Sequence, residues 1–298
     1  MIRTKGVLLA GGRGTRLAPV STCVNKHFLP IYDKPMIYYP LSTLMLSGLR
    51  EIAIVTNPSD VDLFKKLLGD GSRLGVSLSY FAQVQPNGIP EALTLTEKFL
   101  DGENSALILG DNLLFGPGFG RSLISKLASE EGASIFAYHV DRPEDYGVIE
   151  IDSLGNVLSI EEKPKFPKSN FAIPGFYFFD GRAPEMAKQL KPSKRGELEI
   201  VDLLNMYRKS GKLKVEIANR GTSWLDAGTT DNLFTASELV KVTQSRQGYK
   251  VNVPEEIAYD NGWITKSELR SSAKIHENSP YGDYLNSIIR RSDELKEV

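Results

Sequence analysis

The feature that most restricts the fold of this chain is the regular alternation of strand-like and helix-like segments over its first 110 residues. Val7–Ala10 is a short apolar run that ends in Gly11-Gly12, which reads as a buried first strand leading into a loop. Pro35–Ser47 reads as a helix stopped by Gly48. Glu51–Thr56 alternates as a strand does, and Asp60–Leu68 follows as an amphipathic helix capped near Ser59. Ser77–Gln83 is a third strand, Pro90–Phe99 a helix, and Ser105–Leu109 a strand ending in Gly110-Asp111-Asn112. Strand–helix–strand units of this kind pack as an α/β fold with a doubly wound, mostly parallel, Rossmann-like sheet. The ligand crevice of such a sheet lies at the carboxyl ends of its strands.

Beyond residue 130 the chain becomes richer in strands. Ser134–Val140, Gly147–Asp152, Val157–Glu161 and Phe171–Phe179 all read as extended, with Gly155-Asn156 as a turn. Helices are expected at Ala183–Leu190, Glu199–Lys209 and Asp231–Gln244, then three short ones at Pro254–Asn261, Lys266–Ala273 and Tyr281–Arg291. The organisation expected is a catalytic domain over 1–244 and a helical appendage over 245–298. A chain of 298 residues can bury a core large enough to fold without disulfide or metal staples.

Charge and cysteine content narrow the class. A formal net charge of −1 offers no basic excess for nucleic acid or an anionic membrane. No run of 18 apolar residues occurs, and the opening Met1–Ala10 does not read as a signal peptide. Cys23 is the only cysteine, so an intramolecular disulfide is impossible and a reducing, cytoplasmic setting is expected. His27, His139 and His276 lack zinc-type spacing.

Chemistry is first visible in Leu9-Ala10-Gly11-Gly12-Arg13-Gly14-Thr15-Arg16. A glycine-rich turn after a strand lets backbone N–H groups wrap an anion, and Arg16 adds a guanidinium suited to phosphate. The Gly-Lys-Ser/Thr ending of a P-loop is absent, and Leu17 stands where a dinucleotide fingerprint would have its third glycine. The competing, less favoured reading of the loop alone is a tight glycine turn with no ligand.

Leu9 to Arg16, with Pro19, Lys26, Leu29-Pro30 and Lys34-Pro35, resembles the opening signature of the sugar nucleotidylyltransferases. Tyr32 to Gly48 resembles more closely the thymidylyl-transferring members of that family, and the likeness runs through nearly the whole chain. The resemblance implies dTTP and glucose 1-phosphate as substrates, Mg²⁺ as cofactor, a homotetramer and feedback inhibition by dTDP-rhamnose. It implies a nucleotide site at Leu9, Gly11, Gly12, Gly14, Thr15, Arg16, Gln83 and Gly88. Gln83 would bond the pyrimidine edge, whose imide carries one N–H donor between two carbonyls. Lys26 would contact the nucleotide phosphates, and Asp111 and Asp226 would hold the metal. The strand-rich part would bind the sugar phosphate through Asn112, Tyr146, Gly147, Glu162, Lys163, Ile173, Gly175 and Arg195. Arg16, Lys26, Lys163, Asp111 and Asp226 are thereby the expected catalytic set.

Physical chemistry is compatible with each role. Magnesium favours one or two carboxylates plus phosphate oxygens, carboxylates accept from sugar hydroxyls, and ammonium groups neutralise phosphate. The chain departs from the family pattern at Asn25, His27, Val84, Ile173 and Ala227, where serine, glutamine, proline, valine and threonine are usual. Use of UTP or of an amino or deoxy sugar phosphate is the alternative reading. A binding-only regulator of the same fold is a second, against which the retained Lys26, Asp111, Lys163 and Asp226 argue.

Overall fold

The computed structural model describes residues 3–12, 14–116 and 131–294; Met1, Ile2 and Arg13 of the passages read above lie outside them. Its centre is one large twisted sheet. Strands β1 (Thr4–Leu9), β4 (Glu51–Thr56), β5 (Ser77–Ala82) and β6 (Asn104–Leu109) lie in the order β6-β1-β4-β5 and pair in parallel. β1 and β4 are buried along almost their whole length, as strands covered on both faces must be. The helices Tyr38–Leu46 and Val61–Leu68 connect them. The α/β class expected from the alternation is what is seen.

The sheet continues past β6 in another style. β8 (Ala133–His139), β9 (Gly147–Ile151), β10 (Val157–Glu162), β11 (Phe171–Ala172) and β12 (Phe176–Phe179) extend it as β10-β9-β11-β8-β12-β6, every neighbouring pair antiparallel. β13 (Leu213–Ile217) joins β8 in parallel. Parallel pairing therefore carries the glycine-loop half, and antiparallel pairing the strand-rich half.

Some boundaries differ from the sequence reading. The first helix starts at Tyr38, because Lys34–Pro35 (β3) turns back on Pro30–Ile31 (β2) in a two-stranded ribbon. Phe171–Phe179 is two strands, interrupted at Ile173-Pro174-Gly175. Pro174 has no N–H to give a ladder, and the interruption turns the Gly175 N–H onto Asn112 Oδ1 at 2.9 Å. Pro90–Phe99 is broken into Glu91–Leu95 and Glu97–Leu100.

β7 (Asn112–Phe115) and β14 (Ser223–Asp226) form a separate antiparallel ribbon, with Asp226 opposite Asn112. Of the three tail helices, Pro254–Asp260 packs against helix Tyr38–Leu46, and Lys266–Ile275 and Pro280–Glu294 pack against Pro254–Asp260 and against each other, with the Tyr281 ring edge-on to Tyr38. Their Ile257, Leu269, Leu285 and Ile289 share one apolar core with Leu8, Ile52 and Ile54 of the central strands. Among the described residues, no helix is long and apolar enough to cross a membrane.

Candidate active site

Two adjoining cavities open at the carboxyl ends of β1 and β6. The first, about 310 Å³, is lined by Leu9, Gly11, Gly12, Arg16, Lys26, Gln83 and Gly88, with His27, Pro86, Ile89, Leu109, Asp111 and Glu197 completing its wall. The second, about 150 Å³, is lined by Asn112, Tyr146, Gly147, Glu162, Lys163, Ile173, Gly175 and Asp226, with Asp145, Tyr177, Ile200 and Trp224. Arg16, Ile89, Leu109 and Asp111 belong to both. Larger hollows elsewhere, such as one of about 480 Å³ beside Arg208 and Lys214, contain neither the glycine loop nor the aspartates. Convergent charge, not volume, marks the candidate site.

The loop between β1 and the first short helical turn is shaped by its glycines. Gly14 sits at φ +58 as the cap of the turn Thr15–Leu17. Asn57 holds the loop from the next strand end, accepting from Gly12 N–H at 3.3 Å. Asp60 fixes that clamp by accepting from Asn57 and Asn25, each at 2.8 Å. Gly14 and Thr15 support the loop from outside both cavity walls, whereas Arg16 reaches into both.

His27 takes a place its sequence context does not reveal. It is almost wholly buried, with Nδ1 donating to Asn25 Oδ1 at 2.7 Å. Burial, reinforced by the neighbouring Lys26 charge, pushes its pKa down to about 3, so it stays neutral.

Two carboxylates face each other across the second cavity. Asp111 leaves β6 through Gly110, and Asp226 closes β14; the ribbon joins them, with Ala227 N–H donating to Asp111 O at 2.9 Å. Lys26 Nζ forms an ion pair with Asp111 Oδ2, and Asn112 Nδ2 donates to Oδ1 at 3.0 Å. Burial opposes ionisation of Asp111, but Lys26 above all holds its carboxyl well below the usual range. Asp226 is pushed up to about 6 by burial and by the Asp111 charge, with Arg16 and Lys26 opposing. Among the described residues, no cluster of three or more acidic, histidine or cysteine side chains suited to a metal occurs. Two mutually repelling carboxylates beside a place for phosphate fit a divalent cation that takes its remaining ligands from substrate and water.

The far wall of the second cavity is built by the strand-rich half. Glu162 ends β10, and Lys163, at φ 44, turns beneath Tyr146 through a 2.9 Å backbone bond. Burial raises the pKa of Glu162 against the pull of Lys163 and Arg195. Arg195 lies outside the cavity wall, bonding Glu199 at 2.7 Å and reaching Glu162 at 3.4 Å. Trp224 Nε1 donates to Asn112 Oδ1 at 2.7 Å, and its ring packs 4.9 Å from that of Tyr146. Trp224, Tyr177 and Ile89 were not among the residues expected here. Only Trp224 carried a signal, as it stands two residues before Asp226.

In the first cavity Gln83 is 5% exposed and lies against Gly11. Gly88 is held in a bridge to Leu198, and a Cβ there would sit 2.1 Å from Leu198 O. The fold itself thus demands glycine at 88.

Residues 5–242 match the model of the nucleotidyl transferase family. The chain is 50% identical over 285 residues to the glucose-1-phosphate thymidylyltransferase of Neisseria gonorrhoeae, covering 96% of this chain and 99% of that one. It is 47% identical over 288 residues to the glucose-1-phosphate thymidylyltransferase of Mycobacterium tuberculosis, covering 97% and 100%. The structure of UDP-glucose pyrophosphorylase complexed with UDP-glucose superposes with a TM-score of 0.71 at 25% identity, covering 82% of this chain and 100% of that one.

Proposed function

The chain belongs to the nucleotidyl transferase family, and from that premise we propose that it transfers a thymidylyl group from dTTP to α-D-glucose 1-phosphate, giving dTDP-glucose and pyrophosphate. The observation that carries the reading is the shared wall of the two cavities. A nucleotide in the first and a sugar phosphate in the second would meet at Arg16 and Asp111, which line both.

On this reading the backbone at Leu9, Gly11 and Gly12 cradles the triphosphate, with Gly14 and Thr15 shaping the loop, and Gln83 and Gly88 receive the base. Asn112, Tyr146, Gly147, Glu162, Ile173 and Gly175 hold the sugar, and Lys163, with Arg195 behind it, its phosphate. The sugar phosphate is already anionic, so no protein base or nucleophile is required. Its oxygen attacks the α-phosphorus in line as pyrophosphate leaves. Arg16, Lys26 and Lys163 orient the two phosphates and offset the charge that develops. Asp111 and Asp226 would hold Mg²⁺, which when bound screens the repulsion between the phosphate groups.

Residues 1–244 carry this chemistry and 245–298 form a helical appendage to it. The family likeness further supports a cytoplasmic homotetramer inhibited by a downstream nucleotide sugar such as dTDP-rhamnose. Light scattering and inhibition assays test those two properties.

The primary test is pyrophosphate release from dTTP, UTP and the other nucleotides, each with glucose 1-phosphate and Mg²⁺. Preference for dTTP supports the reading to the level of substrate, and preference for UTP moves the chain to the uridylyl reaction. Asp226→Ala tests the metal assignment: a folded variant keeping more than a few per cent of the turnover defeats it.

A further inference from the structure

The geometry points to Glu91 as a positioning residue that fixes which face of the Gln83 carboxamide is offered to the nucleobase, and so sets base choice. This rests on the reading of the first cavity as the nucleotide site. A carboxamide is nearly symmetric in shape, and its two ends carry opposite hydrogen-bonding sense. Something must therefore hold one orientation if the side chain is to discriminate.

Glu91 supplies that constraint. It opens the short helix Glu91–Leu95, and its Oε2 accepts from Gln83 Nε2 at 2.6 Å. Its Oε1 accepts from Asn87 Nδ2 at 2.7 Å, so both oxygens are engaged by amides of the same loop. An ionised carboxylate only accepts. The NH₂ of Gln83 must face Glu91, where it also lies 3.4 Å from Gly88 O. The carbonyl Oε1 is consequently turned toward Gly11, close enough that a Cβ there would lie 3.0 Å from it. The Gln83 backbone is tethered as well, its N–H donating to Thr56 O at 2.7 Å.

An acceptor presented at this wall selects a base edge bearing a donor. Thymine and uracil carry N3–H and satisfy it. Cytosine has a lone pair at N3, which would oppose Oε1 of the 5%-exposed Gln83. Discrimination of this kind is strong, because the mismatched partner leaves buried polar atoms unpaired. The 5-methyl group is not read by this pair, so Glu91 separates imide from amidine bases and leaves thymine and uracil alike.

The test compares kcat/KM for dUTP and dCTP, which differ only in that edge, at saturating glucose 1-phosphate. Glu91→Gln is nearly isosteric but can donate as well as accept, which frees Gln83 to rotate. The expected result is a fall of about tenfold or more in the dUTP/dCTP ratio, carried mainly by KM, with the melting temperature unchanged. Glu91→Asp, still an acceptor, keeps most of the ratio. A fall smaller than about threefold in Glu91→Gln, while Gln83→Ala abolishes the preference, overturns the role of Glu91 and leaves the site in place. A ratio unchanged in Gln83→Ala overturns the placement of the base in this cavity. If neither dUTP nor dTTP is turned over, the proposed reaction itself fails.

Discussion

Replacement of Gly88 by alanine tests whether the backbone bridge to Leu198 shapes the nucleotide cavity. Gly88 stands at φ +117, a region that costs an L-residue roughly 1–3 kcal/mol. Its new Cβ would lie 2.1 Å from Leu198 O, 2.7 Å from Leu198 N and 2.9 Å from Leu198 C, all backbone atoms that cannot rotate away. Ordinary contact begins at 3.4 Å, so the two segments must part by about 1.3 Å. The Leu198 N–H bond to Asn87 O, 2.6 Å long, would then open, at about a further 1 kcal/mol. The expected loss of stability is therefore about 2–4 kcal/mol, read by urea titration. A displacement near 1 Å at a positioning segment lowers rate by about a hundredfold. Pyrophosphate release with dTTP varied should show that loss in kcat/KM, with KM for glucose 1-phosphate nearly unchanged. A variant within about threefold of the parent in kcat/KM, with native stability, refutes the claim that the bridge sets the cavity.

Three further outcomes follow from contacts away from that bridge. Lys26→Met strips the ammonium from buried Asp111 and from the proposed path of the phosphates, and turnover should fall by about a hundredfold or more in the same assay; retention of a third of the activity contradicts the proposed role. Asp180, 3% exposed, accepts from Gly132 N at 2.6 Å, Tyr207 Oη at 2.8 Å and three Arg182 N–H groups. Although burial opposes it, these donors, Arg182 first, hold its pKa below the usual range. A depressed carboxylate stabilises the fold above its unfolded pKa and loses that contribution as pH falls through the folded value. Asp180→Asn should thus cost about 2 kcal/mol at pH 7, with the gap to the parent closing below about pH 4; a gap that widens on acidification contradicts this. Tyr281→Phe removes the 2.6 Å bond to Glu255, a fully buried carboxylate whose Oε1 has no partner among the described residues. A loss of about 1.5–3 kcal/mol is expected in denaturant titration, and a change below about 0.5 kcal/mol would show the pair to be unimportant.

The parts legible in the sequence were those governed by local rules. β4, β5 and β6 fall within a residue of where apolar patterning put them, and β1 starts three residues earlier than its apolar run, because buried parallel strands leave an unmistakable hydrophobic run while Thr4-Lys5-Gly6 carry none. Gly14 and Gly48 likewise announce positive φ directly. What patterning could not convey is pairing at a distance. Asn112–Phe115 and Ser223–Asp226 are four residues each, too short for periodicity to register, and they become strands only by meeting each other. The Phe171–Phe179 run looked continuous, since its break depends on Gly175 packing against Leu109 and bonding Asn112. Glu91 was invisible as more than a first-turn acid, because its meaning lies in two amides that fold back onto it.

The β7–β14 ribbon has a consequence for the order in which the protein becomes competent during synthesis. Asp111 emerges from the ribosome with the parallel half of the sheet, while Asp226 and Trp224 emerge only after every strand of the antiparallel half. A nascent chain that has completed its glycine loop and buried β1 between β4 and β6 still lacks the second carboxylate and the indole that braces Asn112. Half-made protein thus carries the glycine loop while the second cavity still lacks the Trp224 and Asp226 part of its wall. The second cavity therefore gains its joint wall of Asp111, Asn112 and Asp226 only when β14 pairs with β7.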